Sequence, residues 1–279
     1  MKLFLNSLYI VSTPIGNLDD ITLRAIEVLK NSDIVLCEDT RRSLKLLNHL
    51  KIKKKLISYH KFNEKKKAPE IIEHINKGKI LSLISDAGTP MLSDPGRILV
   101  NLCIDNKIKI IPIPGASSLA TAMSVSGFKD QFIFYGFLPK TEYELEKALS
   151  TLSNYSFSQV FFVPGLKINF YLKYFKKYFA GRKILIAKEM TKIHENFIRE
   201  NIDEIKMYNE KMKGELTIII SHQNIKKKHF NKEKIVNKAI KYLKKYSLKD
   251  TVDLILETEK FNKKEIYSIC LKIKNEKNS

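Results

Sequence analysis

Arginine is scarce in a chain that is otherwise strongly basic. Of 279 residues, 50 are Lys or Arg and 30 are Asp or Glu, a formal net charge of +20, yet only six of the 50 are Arg (24, 41, 42, 97, 182 and 199). A charge of that size points to a polyanion such as nucleic acid. The Lys excess, beside abundant Ile and Asn, is also what an AT-rich genome deposits on solvated faces. Charge is therefore a pointer, and the residues around it must carry the case. Cysteine is scarce too: Cys37, Cys103 and Cys270 are scattered, with no C-x-x-C. That argues against a disulfide framework and against a zinc site, and fits a reducing, cytoplasmic setting. The six His are dispersed with no H-E-x-x-H, so no metal is expected. No apolar run approaches the length of a membrane span, so no membrane partner is expected. The N-terminal apolar stretch is interrupted by Asn6 and Ser7 and lacks a small-residue cleavage site, so it reads as a first strand rather than a signal peptide. Two phosphate-binding glycine patterns are missing as well. No G-x-G-x-x-G follows the first strand, so the ordinary dinucleotide-type or common Rossmann methyltransferase loop is missing, and no G-x-x-x-x-G-K-[ST] occurs, so no P-loop ATPase is indicated.

What is present is an alternation of apolar runs and helical stripes. Leu8–Val11, Ile34–Cys37, Ile80–Ile84 and Lys109–Pro112 read as strands. Helical spacing appears in Leu23, Ala25, Ile26, Leu29, with Asp20 as N-cap, then in Leu44, Leu47, Leu50, and in Ile71, Ile72, Ile75 ended by Gly78. Strands alternating with helices predict parallel pairing in an α/β sheet. A small-residue helix is expected over 116–127, followed by strands at Gln131–Phe137, Gln159–Val163, Ile184–Lys188 and Leu216–Ser221. Beyond Lys226 the apolar positions suggest two or three amphipathic helices. The predicted architecture is an N-terminal α/β domain over 1–113, a C-terminal α/β domain over 114–225 and a helical segment over 226–279, with Lys226–Lys228 at the boundary.

In open α/β sheets, ligands bind beyond the carboxyl ends of the strands. Four unusual loops fall there: Ser12–Asp20, Glu38–Arg42, Ser85–Gly96 (SDAGTPMLSDPG) and Pro112–Ser118. Gly88 permits close backbone approach, Pro90 and Pro95 fix the chain, and Gly115-Ala116-Ser117-Ser118 opens a helix with small side chains. Pro14 and Gly16 give the first loop the same character. These loops suit a flat polar ligand held largely by backbone.

These residues resemble the tetrapyrrole-methylase superfamily and, within it, the bacterial small-subunit ribosomal RNA 2′-O-methyltransferase I family. The matching text is LYIVSTPIGNLDDITLRA (8–25), CEDTRR (37–42), LLNHL (46–50), SYHKFNE (58–64), SDAGTPMLSDPG (85–96), IPIPGASS (111–118), GFLPK (136–140), AKEMTKIHE (187–195), Gly214-Glu215 and the segment 247–271. The resemblance implies a two-domain, class III S-adenosylmethionine (SAM) methyltransferase, usually a homodimer, acting on a cytidine ribose of 16S rRNA at the decoding centre of the small ribosomal subunit. It implies that Asp86, Ala87, Gly88, Thr89, Pro90, Gly115, Ala116, Ser117 and Ser118 hold SAM, with Pro14 and Gly16 beside them. One stretch departs from the pattern: Val163-Pro164-Gly165-Leu166-Lys167 stands where a Glu-Ser-Pro-His-Arg-like string is usual, and 141–146 is acidic where Arg is usual.

A ribose hydroxyl needs a proton acceptor. Asp39, Glu38 and His60 are the first candidates; Asp19, Asp20 and Glu64 also lie on the loops. Asp94, before Pro95-Gly96, reads as turn chemistry. Arg41 and Arg42, two of the six Arg, are expected to contact RNA phosphates, together with Asn63 and Glu64. His194 and Glu195 read as a brace in the second domain. Two rival readings remain: a non-catalytic RNA- or ribosome-binding protein on a decayed methyltransferase scaffold, and a tetrapyrrole-type methylase with a small-molecule substrate.

Overall fold

The computed structural model describes residues 3–223, 232–258 and 263–276. The chain divides into two compact units, Met1–Gln223 and Asn224–Ser279. The predicted boundary at Lys226–Lys228 lies outside the described residues.

The larger unit is built on two five-stranded sheets. The first contains β1 (Ser7–Val11), β2 (Ile34–Cys37), β3 (Lys55–Ser58), β4 (Ile80–Ile84) and β5 (Lys109–Ile113), in the order β3-β2-β4-β1-β5. Every pairing is parallel. Period-two alternation gives each strand two apolar faces. Leu8, Ile10, Ile34 and Leu36 pack with Ala68, Ile71 and Ile75 of α3 (Glu64–Asn76) and Leu99 and Cys103 of α4 (Arg97–Asp105). Tyr9, Val11, Val35 and Cys37 pack on the other side with Ala25, Val28 and Leu29 of α1 (Leu23–Asn31) and Leu47 of α2 (Thr40–His49). The N-cap of α1 is Thr22, whose hydroxyl accepts from the Ala25 N–H at 3.1 Å. Asp20 instead ends a short 3₁₀ turn, Leu18–Asp20, capped by Asn17. The two extra residues let that turn form before the helix starts.

The second sheet contains β6 (Phe132–Phe137), β7 (Ser158–Pro164), β8 (Lys183–Lys188), β9 (Asn196–Asn201) and β10 (Glu215–Ile220), ordered β6-β7-β10-β8-β9. Only β6 and β7 pair in parallel; β10 runs antiparallel to β7 and β8, and β9 antiparallel to β8. The expectation of parallel pairing fails here because no helix separates β8 from β9, so the chain reverses between them, and β10 then enters between β7 and β8 in the direction of β9. One face of this sheet carries α6 (Glu142–Ser153) and α7 (Ile168–Tyr178) around Phe161, Val163, Ile184 and Ile218. The other face holds Val160, Leu185, Ala187 and Ile219, covered by Ala122 and Leu119 of α5 (Ser118–Ser124) and by Ile15 from the loop after β1.

The smaller unit comprises α8 (Lys232–Tyr242), α9 (Leu248–Thr258) and α10 (Lys263–Glu276). Ile235, Ala239, Val252, Ile255, Ile266 and Cys270 form its own buried core. Among the described residues, no helix is long and apolar enough to cross a membrane.

Candidate active site

Because β4, β1 and β5 are parallel neighbours, their carboxyl-end loops open side by side. Thr13 and Gly88 form a two-way backbone bridge, each N–H donating to the other's carbonyl at 2.9 Å. The Thr13 hydroxyl donates to the Ser85 carbonyl at 3.1 Å, and the Ser85 hydroxyl to the Gly88 carbonyl at 3.1 Å. The Ser12 hydroxyl lies 2.9 Å from that of Thr89, which donates to the Ala116 carbonyl at 3.2 Å. Three loops are thus tied by small polar side chains. Two glycines make that closeness possible. Gly88 has φ +82°, and a Cβ on it would meet Ile15 Cγ2 at 3.3 Å; a Cβ on Gly115 would meet the Ser12 Cβ at 2.9 Å.

The structure therefore brings Gly88, Thr89, Gly115 and Ala116 together, with Ser12 and Thr13 as partners that the sequence reading did not single out. Pro14 and Pro90 are buried beside them, while Ala87 is exposed. Ser117 caps α5, and Ser118 is its first residue. Gly16 has a different task. A Cβ there would lie 2.6 Å from Lys192 Cγ and from Thr191 Oγ1, so its missing side chain lets the first loop close on the loop after β8. The Asn17 N–H donates to the Thr191 hydroxyl at 2.9 Å in the same contact.

The carboxylates beside this cradle separate by environment. Asp39 caps α2: it accepts from the Arg41 N–H at 2.9 Å and takes two guanidinium bonds, at 3.0 and 2.7 Å. The Arg41 side chain beside it holds its carboxyl well below the usual carboxylate range, which makes it a poor proton acceptor. Asp86 is committed too, accepting from the Asp39 N–H at 3.1 Å and pairing with Arg42 at 3.4 Å. Glu38 is half-buried, and desolvation, followed by the nearby Asp86 charge, pushes its pKa up. Asp94 shows the same effect more strongly. Burial first, then the Glu38 charge, raises it to about 7, opposed by the Ser85 hydroxyl. The turn reading of Asp94 missed this because Asp-Pro-Gly is a common turn string and burial is invisible in it.

His60 sits within its own turn. Its Nδ1 accepts from the Phe62 N–H at 3.3 Å, and its Nε2 lies 3.2 Å from Asn63 Nδ2. Asn63 locks that turn, accepting from the His60 N–H at 2.8 Å and donating to the Ser58 carbonyl at 3.1 Å. Glu64 accepts from the Gly96 N–H at 3.3 Å rather than orienting His60. Asn63 and Glu64 thus spend their polar atoms on the fold, whereas Arg41 and Arg42 leave most of their side chains in water.

The second sheet forms the facing side. A Cβ on Gly136 would lie 2.6 Å from the Ser93 Oγ of the long loop, and one on Gly214 would lie 3.0 Å from Glu189 Oε1. Four non-glycine residues of these loops, Met91, Ser93, Glu189 and Thr191, have φ between 52° and 76°. Such conformations are held only where surrounding contacts impose them. Glu195 accepts from the Thr191 N–H at 2.7 Å and braces the tip, as expected of it, while His194 is exposed. Among the described residues, no group of His, Cys, Asp and Glu could hold a metal ion.

Residues 7–206 match the family Tetrapyrrole (Corrin/Porphyrin) Methylases. The chain is 46% identical over 213 residues to a Ribosomal RNA small subunit methyltransferase I from Mesomycoplasma conjunctivae, covering 76% of this chain and 89% of that one. A protein of the same name from Rickettsia prowazekii is 42% identical over 275 residues, covering 96% and 98%. Among solved structures, a uroporphyrin-III C-methyltransferase from Thermus thermophilus, complexed with S-adenyl homocysteine, superposes with a TM-score of 0.54. That match is at 15% identity and covers 77% of this chain and 97% of that one, a likeness of fold.

Proposed function

The chain belongs to the tetrapyrrole (corrin/porphyrin) methylases and, within them, to the ribosomal RNA small subunit methyltransferase I family, and from that membership we propose that it methylates the 2′-hydroxyl of a cytidine ribose in 16S ribosomal RNA, using SAM. The observation that carries this reading is the juxtaposition of a tied, small-residue cradle with two carboxyls of raised pKa. The missing Cβ atoms at Gly88 and Gly115 leave backbone exposed where a flat, polar cofactor fits. Ser12, Thr13, Gly88, Thr89, Gly115 and Ala116 would hold it. When bound, SAM supplies an electrophilic methyl group and a neutral leaving group.

The chain's own residues do the rest. Glu38 and Asp94 are the proton acceptors for the ribose hydroxyl, because a carboxylate lifted toward neutrality is a better base than an ordinary one. Asp39 fixes the start of α2 and directs Arg41 outward; Arg42, exposed beside Asp86, adds a second guanidinium for RNA phosphates. The small ribosomal subunit as partner, a homodimer and a cytoplasmic setting belong to the same reading. The stretch Val163-Pro164-Gly165-Leu166-Lys167, with Leu166 and Lys167 exposed and no carboxylate, imidazole or guanidinium in it, favours a second reading as a non-catalytic RNA-binding protein.

Calorimetric titration with SAM separates the two, with Gly88→Val as control. Binding by the wild type that is lost in the variant supports the cradle. Mapping of 2′-O-methylcytidine on unmethylated small subunits incubated with the protein then tests the substrate. A folded wild type that binds no SAM, alone or with small subunits, overturns the enzymatic reading.

A further inference from the structure

We propose that Phe62 is a stacking platform for an unpaired base of the RNA strand. This rests on the RNA reading above and extends it to the base beside the reacting ribose. Single exposed apolar residues are ordinary, so the 94% exposure of Phe62 says little by itself. Its support says more. The turn that carries it is held by the His60 N–H bond to Asn63 Oδ1, the Asn63 amide bond to the Ser58 carbonyl, and the Phe62 N–H bond to His60 Nδ1. The His60 ring meets it edge-on, with centroids 6.1 Å apart and planes at 65°. A large ring is thus presented to water on a turn that three hydrogen bonds hold.

Its charge setting selects the occupant. Lys61, Lys65 and Lys66 are exposed around it and Lys67 is half-buried. None of the four makes an ion pair among the described residues. The one acid of the stretch, Glu64, turns inward to the Gly96 N–H. A basic loop with a presented aromatic ring suits a polyanion that also carries flat apolar faces, which is an unpaired nucleic-acid strand. The exposed Ile193 lacks this setting, since its neighbour Lys192 pairs with Glu189 at 3.1 Å.

Position adds the last step. The turn follows β3, next to β2, and the Tyr59 N–H donates to the Cys37 carbonyl at 2.8 Å, one residue before Glu38. A strand laid along the Lys61–Lys67 surface reaches the carboxylates with its neighbouring ribose. A nucleotide drawn from its stack to present that ribose regains stacking on Phe62. A fully paired A-form helix offers no free base face and gains nothing there.

The test uses the full-length protein and an RNA hairpin with 2-aminopurine in its unpaired loop, read by fluorescence and anisotropy. Phe62→Leu keeps apolar bulk without a ring; Phe62→Trp keeps the ring. Wild type and Phe62→Trp are expected to quench the probe. Phe62→Leu should not quench it and should bind about fivefold to 100-fold more weakly, with an unchanged melting temperature. A fully paired duplex should bind all three alike. Equal hairpin binding and quenching by Phe62→Leu overturns the stacking role and leaves the RNA reading intact. So does a change in oligomeric state with RNA affinity unaltered, which would assign Phe62 to a second copy of the chain. A wild type that binds neither the hairpin nor small-subunit RNA at low salt overturns both.

Discussion

In the first sheet all five strands run one way, so every carboxyl-end loop opens at the same edge. In the second, β9 and β10 reverse, so the edge where β6, β7 and β8 end also receives the starts of β9 and β10. The first edge is accordingly made of backbone and small residues tied to one another. The second offers side chains, Glu189, Thr191 and Glu215, from strand ends and strand starts alike. Glycines allow close approach at both edges: Gly88 and Gly115 between the loops of the first sheet, and from the second sheet Gly136, whose Cβ would lie 2.6 Å from Ser93 Oγ, and Gly214, whose Cβ would lie 3.0 Å from Glu189 Oε1. In the proposed function, the first sheet holds the cofactor and the second closes over it.

That division is broken most severely in the second core. Phe161 is fully buried and stacks on Phe175 with centroids 5.5 Å apart. Phe161→Ala should cost about 3–5 kcal/mol of stability in urea denaturation. Below its lowered transition the variant should keep its SAM affinity. A large affinity loss in the folded variant would mean that the second sheet's core shapes the cradle itself.

A smaller effect separates two adjacent carboxylates in the first sheet. Glu38→Gln should slow methyl transfer about 100-fold and leave SAM binding unchanged. Asp39→Ala should cost about 1 kcal/mol of stability through the lost cap and change the single-turnover rate little. Equal rate losses in both would remove Glu38 from proton acceptance and point to the loop's geometry instead.

What the sequence made legible follows the same line. β1, β2 and β4 are buried throughout and were expected almost to the residue, as were the strand-end loops that gather at them. The strands that escaped were edges. β3 reads Lys-Leu-Ile-Ser after Lys53 and Lys54, and β9 reads Asn-Phe-Ile-Arg-Glu-Asn, because an edge strand carries polar residues where a central one cannot. The candidate cradle was legible where backbone conformation or close approach dictates residue type, at Gly88 and Gly115. The candidate site was not legible where burial decides chemistry. Glu38 and Asp39 are neighbours of one class in sequence, and only the fold shows one desolvated and the other held by Arg41. Asp94 escaped because it looked like a turn residue and is half-buried, and Phe62 was not singled out in the sequence at all.

The last prediction reads Asp94 without any substrate. Its carboxyl rises from 3.8 to about 7 on folding, so between those values the folded chain binds more protons than the unfolded one. Stability therefore falls as pH rises through that window, the reverse of the usual ion-paired carboxylate. Asp94→Asn keeps the neutral shape and cannot ionise, so it should gain on the wild type as pH climbs from 5 to 8. Urea midpoints at those two pH values measure the gain. Glu38→Gln sharpens the result, because the Glu38 charge is the second cause of the Asp94 rise. In that variant the pH-dependent loss should finish at lower pH. Parallel wild-type and Asp94→Asn curves would mean that Asp94 ionises as an exposed carboxyl does, and Glu38 would then stand alone as the proton acceptor.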